Sequence, residues 1–99
     1  MRLSLQQVSL IRQSVAEVAG ANAHVWLFGS RVRDDARGGD VDLLLELDHC
    51  VAEPAALAAS LATRVSRGMY GRKVDVVLSA PNLAKLPIHS VAMAEGVQL

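Results

Sequence analysis

Two short segments of this chain carry the side chains that could do chemistry. An apolar run, Val25–Phe28, ends in Gly29-Ser30, and Asp40-Val41-Asp42 follows after nine intervening residues. Side chains in a strand alternate between two faces, so Asp40 and Asp42 should point the same way, roughly 7 Å apart. Neighbouring carboxylates repel each other unless a cation lies between them. Oxygen ligands suit Mg²⁺, which usually takes one or two carboxylates together with substrate phosphates.

Gly29-Ser30 and the residue after it could supply a phosphate-binding turn. Glycine lets a backbone turn tightly and approach a ligand closely, and a following helix N-terminus would offer free N–H groups. Arg31 comes directly after Ser30, and a guanidinium suits bidentate contacts with phosphate. We therefore expect Gly29, Ser30 and Arg31 to bind a triphosphate. The other arginines of this loop are interpreted as balancing neighbouring acids: Arg33 and Arg37 against Asp34 and Asp35.

Asp75 is the third acid that could join this site. It interrupts the β-branched run Lys73–Leu78, where a carboxylate is disfavoured and is costly to bury unpaired. If this strand lies beside the strand of Asp42, both carboxylates can face one metal site. The alternatives are an ion pair of Asp75 with Lys73 or Arg72 and, for Asp40-Val41-Asp42, a solvated strand start. The combination with Gly29-Ser30 favours the metal site.

The elements that must position these residues can be read from caps and periodicity. Ser4-Leu5-Gln6-Gln7 is a capping-box pattern, and the helix it opens should end at Gly20. Pro54 and Pro87 suit the first turns of two further helices. The helix that begins at Pro54 carries a stripe of Leu57, Leu61 and Val65. The helix that begins at Pro87 should stop at Gly96. Strands are predicted over Ala23–Phe28, Val41–Leu47 and Lys73–Leu78, with a short edge strand at Val97–Leu99 and a helical turn from Ser30 to about Asp34 before the loop Asp35–Gly39.

The connections predict how the strands pair. The link from the second to the third strand is long enough, with its helix, for a parallel crossover. The link from the first to the second strand is short and favours antiparallel neighbours. The predicted fold is therefore α/β (α+β), a small mixed β-sheet of three to four strands flanked by helices.

Length and charge exclude several classes of protein. The chain has 99 residues, which predicts a single domain over residues 1–99, and 10 basic residues balance 10 acidic ones. Zero net charge argues against direct nucleic-acid binding. Cys50 is the single cysteine, so neither an intramolecular disulfide nor a cysteine-based zinc site is expected. With no signal-type or membrane-spanning apolar run, we expect a soluble, cytoplasmic protein without membrane contacts.

The remaining reactive side chains show no catalytic pattern. His24, His49 and His89 are expected at the surface or at the core edge, and Cys50 is expected to have no catalytic role. The aromatic residues are expected in core packing: Trp26, Phe28 and Tyr70.

Gly29-Ser30, nine residues, Asp40-x-Asp42 and a later strand with Asp75 together resemble the nucleotidyltransferase signature of the DNA polymerase β superfamily. That resemblance implies a polymerase β-like palm fold. It also implies that Ser30 contacts the phosphates of ATP, with Gly29 allowing the approach. Asp40 and Asp42 would bind two Mg²⁺ ions. Asp75 would contact the catalytic metal and help to activate the acceptor hydroxyl, so that a nucleotidylated hydroxyl and pyrophosphate are formed.

The length and the segment from Leu86-Pro87-Ile88-His89 to Glu95-Gly96-Val97 resemble the minimal nucleotidyltransferases, the MNT or MntA-type proteins. These are commonly encoded beside a HEPN-domain toxin, a small helical RNase, and act as its antitoxin. The resemblance implies a protein adenylyltransferase that transfers AMP from ATP to a hydroxyl of the toxin. Two alternatives stay open: an antitoxin that acts purely by forming a complex, and a stand-alone nucleotidyltransferase for a small acceptor.

Overall fold

Three helices and four strands make up the described part of the chain. The computed structural model describes residues 3–29 and 41–99. The elements are α1 (Leu5–Ala19), β1 (His24–Phe28), β2 (Val41–Glu46), α2 (Pro54–Gly68), β3 (Val74–Ser79), α3 (Pro87–Glu95) and β4 (Val97–Gln98). Each predicted helix and strand in these ranges is confirmed, with strand ends that differ by one residue. The turn expected at Ser30–Asp34 and the loop expected at Asp35–Gly39 lie outside the described residues.

The helix ends follow the local sequence signals. The Ser4 hydroxyl accepts a hydrogen bond from the Gln7 N–H at 3.1 Å, and the Gln7 Oε1 accepts one from the Ser4 N–H at 2.9 Å. This reciprocal pair satisfies two N–H groups that a helix start leaves unbonded. Pro54 and Pro87 occupy the first turns of α2 and α3, where a missing N–H costs nothing.

The four strands form one mixed sheet in the order β3-β2-β1-β4. β1 pairs with β2 and β4 in antiparallel fashion, and β2 pairs with β3 in parallel. Both predicted pairings are therefore confirmed, and β4 is an edge strand as expected. The arrangement places the start of β2 beside the start of β3 and beside the end of β1.

The sheet is packed on both faces. Helices α1 and α2 cover one face and bury the larger core, which includes Ile11, Val15, Val25, Leu27, Leu43, Leu45, Leu61 and Val65. Helix α3 covers part of the opposite face, where Ala92 contacts a smaller cluster that contains Trp26, Phe28, Leu44 and Val77. Strand β2 is thus buried on both faces, which explains its almost uninterrupted apolar sequence. The expected core packing of Trp26 and Phe28 is confirmed.

Tyr70 does not pack in the core, and that prediction was wrong. Its side chain is 100% exposed, whereas the preceding Met69 is 1% exposed. Tyr70 lies in the turn between α2 and β3 and has a positive φ of 59°. The chain therefore reverses after Met69 has filled the buried position, and the turn directs the next side chain into solvent.

His89 joins α3 to the outer edge of the sheet. Its Nδ1 accepts a hydrogen bond from the Leu86 N–H, and its Nε2 lies 2.9 Å from the Leu78 carbonyl oxygen. One neutral tautomer, protonated at Nε2, satisfies both partners. His89 is buried, while His24 and His49 are exposed, so the histidines occupy the core-edge and surface positions expected of them.

Within residues 3–29 and 41–99, no helix combines the length and the apolar character that crossing a membrane requires.

Candidate functional site

Two of the three predicted acids lie side by side on the sheet. Asp42 is the second residue of β2, Asp75 is the second residue of β3, and the parallel register makes them Cα partners. Register partners on neighbouring strands share a face, and such strands lie about 4.8 Å apart. Both side chains therefore project from the face that carries Phe28 and Leu44. The structure brings these acids together at the starts of β2 and β3.

The two carboxylates differ in exposure. Asp42 is half-buried, and the Asp75 side chain is 50% exposed, with its Oδ2 3.9 Å from the Lys73 Nζ. The ion pair proposed as the alternative role of Asp75 is thus present. Because both partners are at least half exposed, such a pair contributes at most about 1 kcal/mol. This weak interaction does not by itself explain a carboxylate in register with Asp42.

Gly29 packs directly against the carboxylate of Asp42. Its φ is +78°, and a Cβ at this position would overlap the Asp42 Oδ2 and lie 3.2 Å from the Asp42 Cγ. The cause is the pairing of Phe28 with Asp42, which places the turn after β1 over the start of β2. Glycine is therefore required here both for the backbone conformation and for the space beside the acid. Sequence reasoning selected Gly29 for phosphate binding and missed this contact, because the contact depends on strand register.

The other predicted site residues lie outside the described ranges. Ser30, Arg31 and Asp40 are in this group, together with Arg33 and Arg37. Asp40 directly precedes Val41, whose N–H donates to the Lys73 carbonyl at 2.9 Å. In the part of the chain that the structure describes, no group of three or more His, Cys, Asp or Glu side chains could hold a metal ion. Of the three predicted metal ligands, Asp42 and Asp75 lie in the described part of the chain.

Asp48 and His49, just after the far end of β2, form a separate, exposed pair. Asp48 Oδ1 lies 3.0 Å from His49 Nδ1, and this hydrogen bond lowers the pKa of the Asp48 carboxyl below its usual value of 3.8. Cys50 is exposed beside them. Since Asp48 lies beyond the end of β2 that is opposite to Asp42, this pair is not part of the candidate site.

The donor chemistry around Asp42 fits a hard divalent cation. Carboxylate oxygens are the ligands that Mg²⁺ prefers, and two of them come from adjacent strands in register. Because Gly29 has no side chain, no Cβ occupies the space at the Asp42 Oδ2. Asp42 and Asp75 would hold the ion, and substrate phosphates would complete its ligands.

The family comparison agrees with this geometry. A family model described as nucleotidyltransferase domain matches residues 8–95, which span α1 to α3 and include both described acids. The chain therefore belongs to the nucleotidyltransferase domain family, and the mixed sheet flanked by three helices is consistent with that fold. Membership supports nucleotidyl transfer as the general activity. No curated protein matches the chain.

Proposed function

We propose that this protein is a Mg²⁺-dependent adenylyltransferase that transfers AMP from ATP to a hydroxyl of a partner protein. The observation that carries the proposal is the register of Asp42 and Asp75, which places two carboxylates on one face of the sheet beside the close turn at Gly29. Two carboxylates that face the same side of the sheet repel each other, and a divalent cation between them would offset that repulsion.

Each candidate residue has a role in this proposal. Gly29, Ser30 and Arg31 bind the triphosphate, and Asp40, Asp42 and Asp75 hold two Mg²⁺ ions. When bound, these ions would neutralise charge on the attacking and leaving oxygens. Asp75 orients the acceptor hydroxyl and takes up its proton. The acceptor oxygen then bonds to the α-phosphorus of ATP, and the bond to pyrophosphate breaks.

The exposure of Asp75 favours an acceptor that arrives on another macromolecule. Its side chain is 50% exposed, so a hydroxyl carried on a protein surface can reach it. Zero net charge makes a folded protein a better partner than a polynucleotide. From the resemblance to MNT proteins, we propose that the partner is a HEPN-domain toxin, that a tyrosine is its acceptor, and that this chain is the antitoxin.

Intact-mass spectrometry of the partner tests the proposal. The partner encoded beside this chain is incubated with the protein, ATP and Mg²⁺, and a gain of one AMP mass is expected. Asp42→Asn keeps the size of the side chain and removes its charge, so it should abolish the added mass while the complex still forms. Asp48→Asn is the matched control, because Asp48 is an exposed aspartate just beyond the opposite end of β2.

The outcomes separate the alternatives. An unmodified partner in a stable complex with the wild-type chain would favour an antitoxin that acts by binding alone. Added AMP that persists with Asp42→Asn would place the chemistry at other residues. AMP transfer to a small acceptor, with no modification of the partner protein, would support a stand-alone enzyme.

A further inference from the structure

Helix α3 presents an apolar surface to solvent on the side that faces away from the sheet. His89 and Ala92 are its buried residues, and the opposite stripe consists of Pro87, Val91 and Ala94, which recur at i, i+4 and i+7. A surface helix normally carries charged or polar side chains on this side. From residue 86 to residue 94 the only polar side chains are those of His89 and Ser90.

The same segment contains most of the large apolar side chains that the described chain exposes. Leu86 is 53% exposed, Val91 45%, and Ile88 and Met93 36% each. These four side chains lie on α3 and at its N-cap, and contiguous exposed apolar side chains mark interaction sites. Scattered exposed apolar residues need no explanation, but this concentration on one helix does.

The charges at the two ends of the helix indicate what covers this surface. Lys85 precedes α3, Glu95 ends it, and both are exposed. They stand five positions on either side of Ser90. In an antiparallel pair of α3 helices that cross near Ser90, Lys85 of each copy would meet Glu95 of the other. A twofold interface requires this kind of self-complementary surface.

We infer that α3 is the contact helix of a symmetric homodimer, in which the helices of two copies pack antiparallel with Val91 near the twofold axis. The small side chains of Ser90 and Ala94 let the two helices approach closely. The apolar stripe supplies the buried surface, and the two Lys85–Glu95 pairs set the antiparallel orientation. The covered surface is modest compared with the roughly 800 Å² per partner of standard interfaces, so the dimer should dissociate on dilution.

Sedimentation equilibrium of the full chain over a range of concentrations tests this inference. The wild-type protein should approach twice the 10.5 kDa chain mass as its concentration rises. Val91→Asp places two like charges at the axis and should give a monomer at every concentration. Leu5→Asp is the matched control: Leu5 is 87% exposed but lies on α1, so this variant should dimerise like the wild type.

A charge exchange tests the orientation of the helices. Lys85→Glu alone should weaken the dimer by roughly tenfold, because two attractive pairs become repulsive. Combining Lys85→Glu with Glu95→Lys should restore the wild-type dissociation constant. A wild-type monomer at all concentrations would overturn the inference. A dimer that persists with Val91→Asp would also overturn it, and so would a double exchange whose dimer is no tighter than that of Lys85→Glu. A surface of α3 that only binds a different protein would overturn it as well.

Discussion

Replacing Gly29 by alanine tests whether this turn controls the position of the Asp42 carboxylate. Two separate penalties are expected. The first is the backbone cost of a non-glycine residue at φ +78°, which is about 1–2 kcal/mol. The second arises because the new Cβ overlaps the Asp42 Oδ2. Since this oxygen ends a rotatable side chain, the carboxylate can turn aside at a cost of about 0.5–1.5 kcal/mol.

Gly71→Ala separates the two penalties. Gly71 has nearly the same backbone angle, φ +79°, but a Cβ there would meet nothing within 4 Å. Both variants should therefore be destabilised by the backbone penalty. For a domain of this size, each kcal/mol lowers the melting temperature by roughly 4–8 °C. Only Gly29→Ala should also displace the Asp42 carboxylate.

The displacement should be far more visible in function than in stability. Moving a catalytic carboxylate by about 1 Å can cost on the order of 100-fold in rate, and changing a residue that positions a metal ligand typically costs about 10–100-fold in metal affinity. Mn²⁺ binding, followed by the paramagnetic resonance of free Mn²⁺, and AMP transfer should both fall for Gly29→Ala. Both should be unchanged for Gly71→Ala. Equal Mn²⁺ affinities for the two variants would refute the role assigned to the turn.

Three further predictions concern single side chains. Lys73→Met removes the ammonium group 3.9 Å from the Asp75 Oδ2, so calorimetry should show divalent-ion binding tightened by up to about fivefold; weaker binding would contradict the assignment of Lys73 as a competing cation. His49→Ala removes the hydrogen bond that lowers the pKa of Asp48, so the Asp48 carboxyl, followed by carbon NMR, should titrate nearer its usual 3.8. Because the folded-state pKa of Asp48 is depressed, the small stabilising effect of its pair with His49 is present above the unfolded pKa and is lost as pH falls through the folded value. Identical Asp48 titration midpoints in the wild type and the variant would contradict the role of this hydrogen bond. His89→Phe leaves the Leu86 N–H and the Leu78 carbonyl without their partner, which should lower the free energy of unfolding by about 2–4 kcal/mol in urea without changing Mn²⁺ affinity.

The sequence by itself determined the helices, because their signals are local. Ser4 and Gln7 bond to each other across one turn, and proline at the first turns of α2 and α3 removes an N–H that a helix start does not use. The strands and their pairing directions were also predictable, since alternation marks a strand and connection length separates antiparallel from parallel neighbours. These features depend only on residues near one another in the chain.

The candidate site was predictable in its residue types but not in its geometry. The carboxylates of Asp42 and Asp75 could be assigned to one region from their strands, and the structure places them in register. Which residue of β3 faces Asp42 depends on register, and a slip of one residue would move Asp75 to the opposite face. Register is fixed by the packing of whole strands between α1, α2 and α3, which no local pattern encodes.

Tertiary structure alone decided the contacts that join distant segments. Gly29 touches Asp42 because Phe28 pairs with it across the sheet, and the exposure of Tyr70 follows from Met69 taking the buried position before the turn. Leu44 is buried although it lies on the same strand face as Asp42, because α3 returns to cover that part of the sheet. A sequence specifies which side chains are apolar or charged, but their burial depends on which long-range neighbour reaches them, and the folded chain alone determines that neighbour.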